Sequence, residues 1–245
     1  MLHDSRGFTL IELVVTLVIL GILSVGISGF IGSGVSGYVS ARDREALQGE
    51  ARFAIERVGR ELKNAVPNSV TIELGGKCVS YYPIYSSGFY EAPSGLPLSV
   101  VFAESNIINA NTFKGKKIVF SPQKSNDFSD AKTIRGITKS DIANVANDSY
   151  QVTLDKLPTG LSTSPTKRFY VLGKRVQFCF ESGQLVRKEG ATQFPLSKNV
   201  LVSGSAFSLQ NISLNSHGLL KVQYTFSQNG ETSVFDQEVP IVNVP

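Results

Sequence analysis

Residues 8–31 read FTLIELVVTLVILGILSVGISGFI, 24 residues in which Glu12 carries the only charge. The hydrocarbon core of a bilayer takes about 20 apolar residues in helical form, so this run is long enough to span one. Met1 to Gly7 form a short polar leader ahead of it. A cleaved secretory signal has an apolar region of roughly 7 to 15 residues followed by a small-x-small site; the run here is longer and has no clean site behind it. Ionisable side chains at membrane depth cost at least about 2.5 to 3.5 kcal/mol and persist where they have a task. A plain anchor gives Glu12 no task, so this carboxylate is the residue that most needs a partner.

The rest of the chain is of ordinary globular composition. With 245 residues, 42% hydrophobic and 18% charged, it is neither a disordered chain nor a polytopic membrane protein. At roughly 100 to 200 residues per domain, one globular domain plus accessory segments, or two small domains, are expected. The net charge of +4, from 24 Lys and Arg against 20 Asp and Glu, argues for nucleic acid only if the basic residues cluster on one face. Two histidines, His3 and His217, and two cysteines, Cys78 and Cys179, are too few for an ordinary zinc site or a His-dependent triad. Metal-ligand clusters, phosphate-cradling glycine loops and nucleophile motifs are missing from the sequence, which predicts no enzyme, no metal and no cofactor. Asp127 and Asp130 lie close together in a polar stretch, where forming a turn is their default role.

Beyond Ile31 comes Gly32-Ser33-Gly34-Val35-Ser36-Gly37. Interior glycines cost a helix about 0.8 to 1.0 kcal/mol each relative to alanine, so this passage is its soft part, suited either to local melting when the subunit leaves a bilayer or to tight packing through small residues. From Ala41 to Ala65 the pattern is amphipathic. Leu47, Ala51, Ala54, Ile55, Val58, Leu62 and Ala65 recur at three and four residues, with Arg44, Glu45, Arg52, Glu56, Arg57, Glu61 and Lys63 on the opposite face, solvated or in contact with a neighbour. Pro67 predicts a helix end at about Val66.

Short β-type runs follow: Val70–Leu74, Leu98–Phe102, Lys117–Phe120, Tyr150–Leu154, Phe169–Leu172, Arg175–Phe180, Gln184–Lys188, Ala206–Leu214, Leu219–Phe226 and Thr232–Val239. Glu181-Ser182-Gly183 and Gln228-Asn229-Gly230-Glu231 read as hairpin turns between them. From Asn106 to Ser149 the chain reads as loop with one or two short strands. The expected class is α+β: a long N-terminal helix packed on a C-terminal antiparallel β-sheet domain. The expected division is 1–7 leader, 8–31 apolar half of the helix, 32–66 amphipathic half and 67–245 β-rich domain.

The arrangement Gly7-Phe8-Thr9-Leu10-Ile11-Glu12-Leu13 before an apolar run resembles the class III signal of type IV pilins and type II secretion pseudopilins. The resemblance implies a pilin-like fold. It also implies cleavage between Gly7 and Phe8 by the prepilin peptidase, N-methylation of Phe8, and an assembly role for Glu12. In a filament of side-by-side helices, the new Phe8 ammonium of one subunit meets the Glu12 carboxylate of its neighbour at matching depth. Such a buried pair fixes register more than it adds stability, since both charges are desolvated. Implied partners are other minor pilins, the major pilin, the inner-membrane assembly platform and, before assembly, the inner membrane itself, with the β domain in the periplasm. On that oxidising side Cys78 and Cys179 are expected to pair, the alternative being two buried free thiols.

The helix stretch from Glu50 to Ala65 looks like that of large minor pilins of the PilW and GspJ kind. Tyr81-Tyr82-Pro83 and Arg175-Val176-Gln177-Phe178-Cys179 look most like a minor pilin of the mannose-sensitive haemagglutinin pilus. The expected function is a structural subunit that primes a type IV pilus or sits near its tip; the alternatives are a pseudopilin, or an adhesin or DNA-binding module displayed on the filament. For the last, Lys116-Lys117, Lys167-Arg168, Lys174-Arg175 and Arg187-Lys188, with Phe169, Tyr170 and Phe178 interleaved, are the candidate strip. Strand alternation scatters such pairs over both faces, so nucleic acid is not the expected partner, nor is a small-molecule substrate.

Overall fold

The structure, a computed structural model, describes residues 7–92, 95–104, 113, 115–129, 134–137, 142–146, 149–158, 161, 164, 166–210 and 218–241. It opens with one helix, α1 (Leu10–Lys63), and the chain divides into two compact units, Met1–Ala46 and Leu47–Pro245. In the first unit α1 is helical without a break, including the glycine- and serine-rich passage. Ser33 donates its hydroxyl to the Phe30 carbonyl at 3.0 Å and Ser36 to the Ser33 carbonyl at 2.9 Å. Ser24 and Ser28 do the same to carbonyls four residues back, at 2.7 and 2.9 Å. Bonds of this kind satisfy hydroxyls within the helix's own surface, so apolar surroundings leave none of them unpaired.

In the second unit the helix is followed, in chain order, by β1 (Thr71–Glu73), β2 (Cys78–Tyr81), β3 (Ile84–Tyr90), β4 (Leu98–Phe102), β5 (Lys117–Phe120), β6 (Ile134–Gly136), β7 (Ile142–Ala146) and β8 (Ser149–Val152). Then come β9 (Arg168–Leu172), β10 (Val176–Glu181), β11 (Gln184–Glu189), β12 (Thr192–Ser197), β13 (Ala206–Gln210), β14 (Gly218–Gln228) and β15 (Glu231–Ile241). They form three sheets, ordered β1-β2-β10-β11-β12, β13-β14-β15 and β6-β5-β9-β3-β4-β8-β7. All pairings are antiparallel. This is the α+β, pilin-like arrangement expected, a long N-terminal helix whose later turns pack on antiparallel sheets.

Leu47, Ala51, Ala54, Val58 and Leu62 of α1 are fully buried, one stripe at spacings of three and four. They share a core with Val79, Tyr81, Phe178 and Phe180 of the five-stranded sheet and with Phe207, Val222, Tyr224 and Phe226 of the three-stranded one. A second core, with Phe102, Phe120, Tyr150 and Phe169, lies on the seven-stranded sheet. There Phe102 meets Phe169 edge to face, with centroids 5.1 Å apart, a favoured aromatic geometry. Both hairpin turns form as two-residue loops with positive φ at each residue, Ser182-Gly183 at 49° and 73° and Asn229-Gly230 at 50° and 85°.

The helix ends at Lys63, three residues before the expected Val66, because the backbone beyond it is claimed elsewhere. Val66 N–H donates to the Tyr82 carbonyl at 2.8 Å and Ile84 N–H to the Asn64 carbonyl at 3.0 Å. Strands β2, β3 and β12 lie outside the expected runs. The expected strand at Ala206–Leu214 is described to Gln210, and its remainder lies outside the described residues. Within the second unit the chain crosses between the five- and seven-stranded sheets twice, at Tyr82-Pro83 and at Gly173-Lys174-Arg175. The crossings touch: Gly173 N–H donates to the Pro83 carbonyl at 2.8 Å. A Cβ on Gly173 would stand 3.0 Å from Pro83 Cγ and 3.1 Å from its oxygen, so the approach favours glycine.

Candidate functional site

Gly7, Phe8 and Thr9 run non-helical into α1. Thr9 caps the helix: its hydroxyl oxygen accepts from the Glu12 amide at 3.4 Å and its carbonyl from the Leu13 amide at 3.2 Å. Glu12 therefore occupies the position where a Thr-x-x-Glu capping box places its acid. There a negative charge gains about 0.3 to 1 kcal/mol from the helix dipole. This local role, readable in the Thr9–Glu12 spacing, was missed by a reading that sought only a partner for the charge. Among the described residues no cation pairs with the Glu12 carboxylate. The apolar side chains of this half of the helix are exposed, from Phe8 at 71% and Leu10 at 82% beside Glu12 to Phe30 at 80% further along. A continuous apolar surface of this extent marks an interaction site rather than a solvated face. The helix is long and apolar enough to cross a membrane.

In the second unit Glu61, expected on the solvated face of the helix, is drawn inward. Arg187 of β11 donates through Nε to both Glu61 oxygens at 2.9 and 3.1 Å, and its Nη1 pairs with Glu189 at 2.9 Å. Arg57 Nε and the Tyr81 hydroxyl each donate to Glu61 at 2.5 Å. Burial by itself pushes the Glu61 carboxyl up, but the Tyr81 hydroxyl, the Arg187 guanidinium and then Arg57 outweigh it, and the net shift is downward. Burial first, and Glu61 second, push the Tyr81 phenol far up. Another acid of the helix, Glu50, accepts the Lys198 amide at 2.9 Å. The cluster is a clamp between α1 and the five-stranded sheet.

Cys78 of β2 and Cys179 of β10 are directly opposite in register and joined as a disulfide, with Cα atoms 4.2 Å apart. Phe178 and Phe180 point from the other face of β10 into the core, as alternation along a strand requires. The basic pairs divide. Arg187 is in the clamp, and Arg168 lies over the Phe89 ring at 5.7 Å. Lys116, Lys117, Lys174, Arg175 and Lys188 gather at the seam between the five- and seven-stranded sheets. The interleaved aromatics are interior, Phe169 and Phe178 at 0% exposed. Asp127 accepts the Gln123 and Lys124 amides at 2.8 and 3.1 Å, a turn-forming role. His3, Asp130 and His217 lie outside the described residues.

Residues 2–28 match the prokaryotic N-terminal methylation motif. No curated protein matches the chain, and no solved structure does. The motif supports a type IV pilin-like or pseudopilin protein. With it goes association in general with other pilins, the prepilin peptidase and the assembly machinery. The apolar helix fits the membrane anchor of such a protein.

Proposed function

We propose that the protein is a minor pilin, a structural subunit that primes assembly of a type IV pilus or sits near its tip. The observation that carries this reading is the exposed apolar helix with one carboxylate, Glu12, in its first turn, inside a methylation motif. Cleavage falls between Gly7 and Phe8, Phe8 becomes N-methylated, and Glu12 answers the terminal amine of a neighbouring subunit. Residues 8–31 lie in the inner membrane and then in the filament core, residues 32–66 carry the amphipathic half of the helix, and residues 67–245 form the periplasmic domain. Within the class the chain looks most like MshO, the minor pilin of the mannose-sensitive haemagglutinin pilus, on the strength of Tyr81-Tyr82-Pro83 and the strand around Cys179. A type II secretion pseudopilin is the second reading, favoured by the same motif.

Mass spectrometry of the protein from sheared filaments is expected to yield a chain beginning at methylated Phe8. A leader still attached in assembled filaments sinks the proposal. Finding the mature chain only with a secretion pseudopilus, in cells that also make pili, moves it to the second reading.

A further inference from the structure

The seam between the five- and seven-stranded sheets holds a cleft of about 680 Å³, and five of its lining residues are basic: Lys116, Lys117, Lys174, Arg175 and Lys188. Among the described residues no carboxylate lines it. Three separate pieces of chain bring these cations together. Lys116 and Lys117 stand at the start of β5, where Lys117 pairs with Leu172 of β9. Lys174 and Arg175 form the crossing from β9 to β10. Lys188 sits opposite Gln177 in the β10–β11 pair, on the outer face of the sheet.

Part of this positive row is held rigidly. Arg175 bonds to Glu73 and, at 2.8 Å, to the Ser80 hydroxyl. Lys188 Nζ donates to Glu181 at 2.7 Å. Lys116 lies over the Tyr85 ring, 3.6 Å from its centroid. Lys117 and Lys174 are exposed and have no partner among the described residues. Glu73 and Glu181 fix Arg175 and Lys188 in place, while among the described residues no carboxylate pairs with Lys116, Lys117 or Lys174.

We propose that this cleft binds an acidic polysaccharide, a chain of sugars bearing sulfate or carboxylate groups. Ammonium groups meet such anions as point charges and need no planar fork. Tyr82, half-buried on the cleft wall with its ring stacked on Phe128 at 5.4 Å, offers a fixed aromatic surface for the C–H face of a pyranose. Single-stranded nucleic acid, the competing polyanion, is held by aromatic platforms on which successive bases stack. Among the described residues that line the cleft Tyr82 is the one aromatic, and a single ring makes no such row.

The test uses the full-length protein in detergent and titrates a heparin-derived hexasaccharide, a neutral maltooligosaccharide of equal length and an oligothymidylate of matched charge. Binding of the heparin fragment alone is expected, weakening as salt rises. The Lys117→Gln/Lys174→Gln protein is expected to bind it about tenfold more weakly. Lys198→Gln/Lys221→Gln, which removes the same charge from other faces, is expected to bind as the parent does. Equal losses in both variants would reduce the effect to net charge and overturn the proposal, as would no binding by the parent. Equal or tighter binding of the oligothymidylate would overturn it in favour of nucleic acid. Lys117, Lys174 and Lys198 are exposed and Lys221 is half-buried in a surface pair with Glu238; all four lie outside the core, so circular dichroism is expected to be unchanged.

Discussion

Glu61 shows how one residue's surroundings reverse its reading. By periodicity it belongs with Arg57 and Lys63 on the wet side of the helix, and its side chain is nevertheless only 16% exposed, between two arginines and a tyrosine. A carboxyl whose folded pKa lies below its ordinary value of about 4.5 contributes stability that is present above that pH and disappears as pH falls through the folded value. Glu61→Gln is therefore expected to lower stability at neutral pH by about 2 to 3 kcal/mol, the worth of hydrogen bonds to a charged group. The deficit is expected to shrink as the pH falls below the ordinary carboxyl range and through the lowered folded value, where the parent also loses the charge. Urea midpoints at neutral and acid pH, followed by tyrosine fluorescence in this tryptophan-free chain, check it; a deficit independent of pH would mean the clamp works by shape rather than charge. Periodicity could not find this, because the guanidinium that holds Glu61 comes from β11, 126 residues further on.

At the scale of elements, Gly88 sits in a strand that lies outside the expected runs. The stretch Ile84-Tyr85-Ser86-Ser87-Gly88-Phe89-Tyr90 is β3, between β9 and β4. A Cβ at Gly88 would stand 2.1 Å from the Val101 carbonyl oxygen and 2.8 Å from the Phe169 ring; the glycine is there so the ring can approach. Gly88→Ala is expected to cost about 3 kcal/mol, the upper end for overpacking, and to lower the urea midpoint accordingly. A change under about 0.5 kcal/mol, the size of an ordinary surface substitution, would mean the sheet yields freely. Strand β12 hid for another reason: Pro195 demotes a strand pattern, and here it sits on an edge strand bonded only to β11. The cysteines were legible as a pair but not as a register. Their disulfide closes a separation of 101 residues, and a double Cys→Ala protein is expected to lose about 2 to 5 kcal/mol, with urea unfolding as the measurement. The four lysines and one arginine of the cleft were visible within pairs, yet that two pairs reach the seam whole, Arg187-Lys188 only through Lys188 and Lys167-Arg168 not at all is a matter of strand register, which no local pattern fixes.

For the whole molecule the deciding question is what the Glu12 carboxylate does if the chain assembles as proposed, and two roles of different size are open to it. Capping and the helix dipole give the charge about 0.3 to 1 kcal/mol within its own chain. Pairing with a neighbour's terminal amine in an apolar surround would be broken at a cost of about 3 to 5 kcal/mol if one partner were removed. Glu12→Ala removes both contributions, whereas Glu12→Gln keeps a residue that completes the capping box and loses only the charge. If pairing sets register, both variants are expected to lower incorporation and pilus number alike, with the β domain folded and membrane insertion intact, since each makes the segment less charged. In the resembling family the carboxylate answers the amine of a subunit already incorporated above, and the extreme tip subunit needs none. Because this chain has Glu12, its expected place is in the tip complex but beneath at least one other minor pilin. Counting pili by electron microscopy and crosslinking cysteines placed beside residue 12 read out the two parts. Normal counts and normal crosslinks in both variants would leave Glu12 as a helix cap alone and remove the main support for that placement, while loss in Glu12→Ala with rescue by Glu12→Gln would assign the defect to capping.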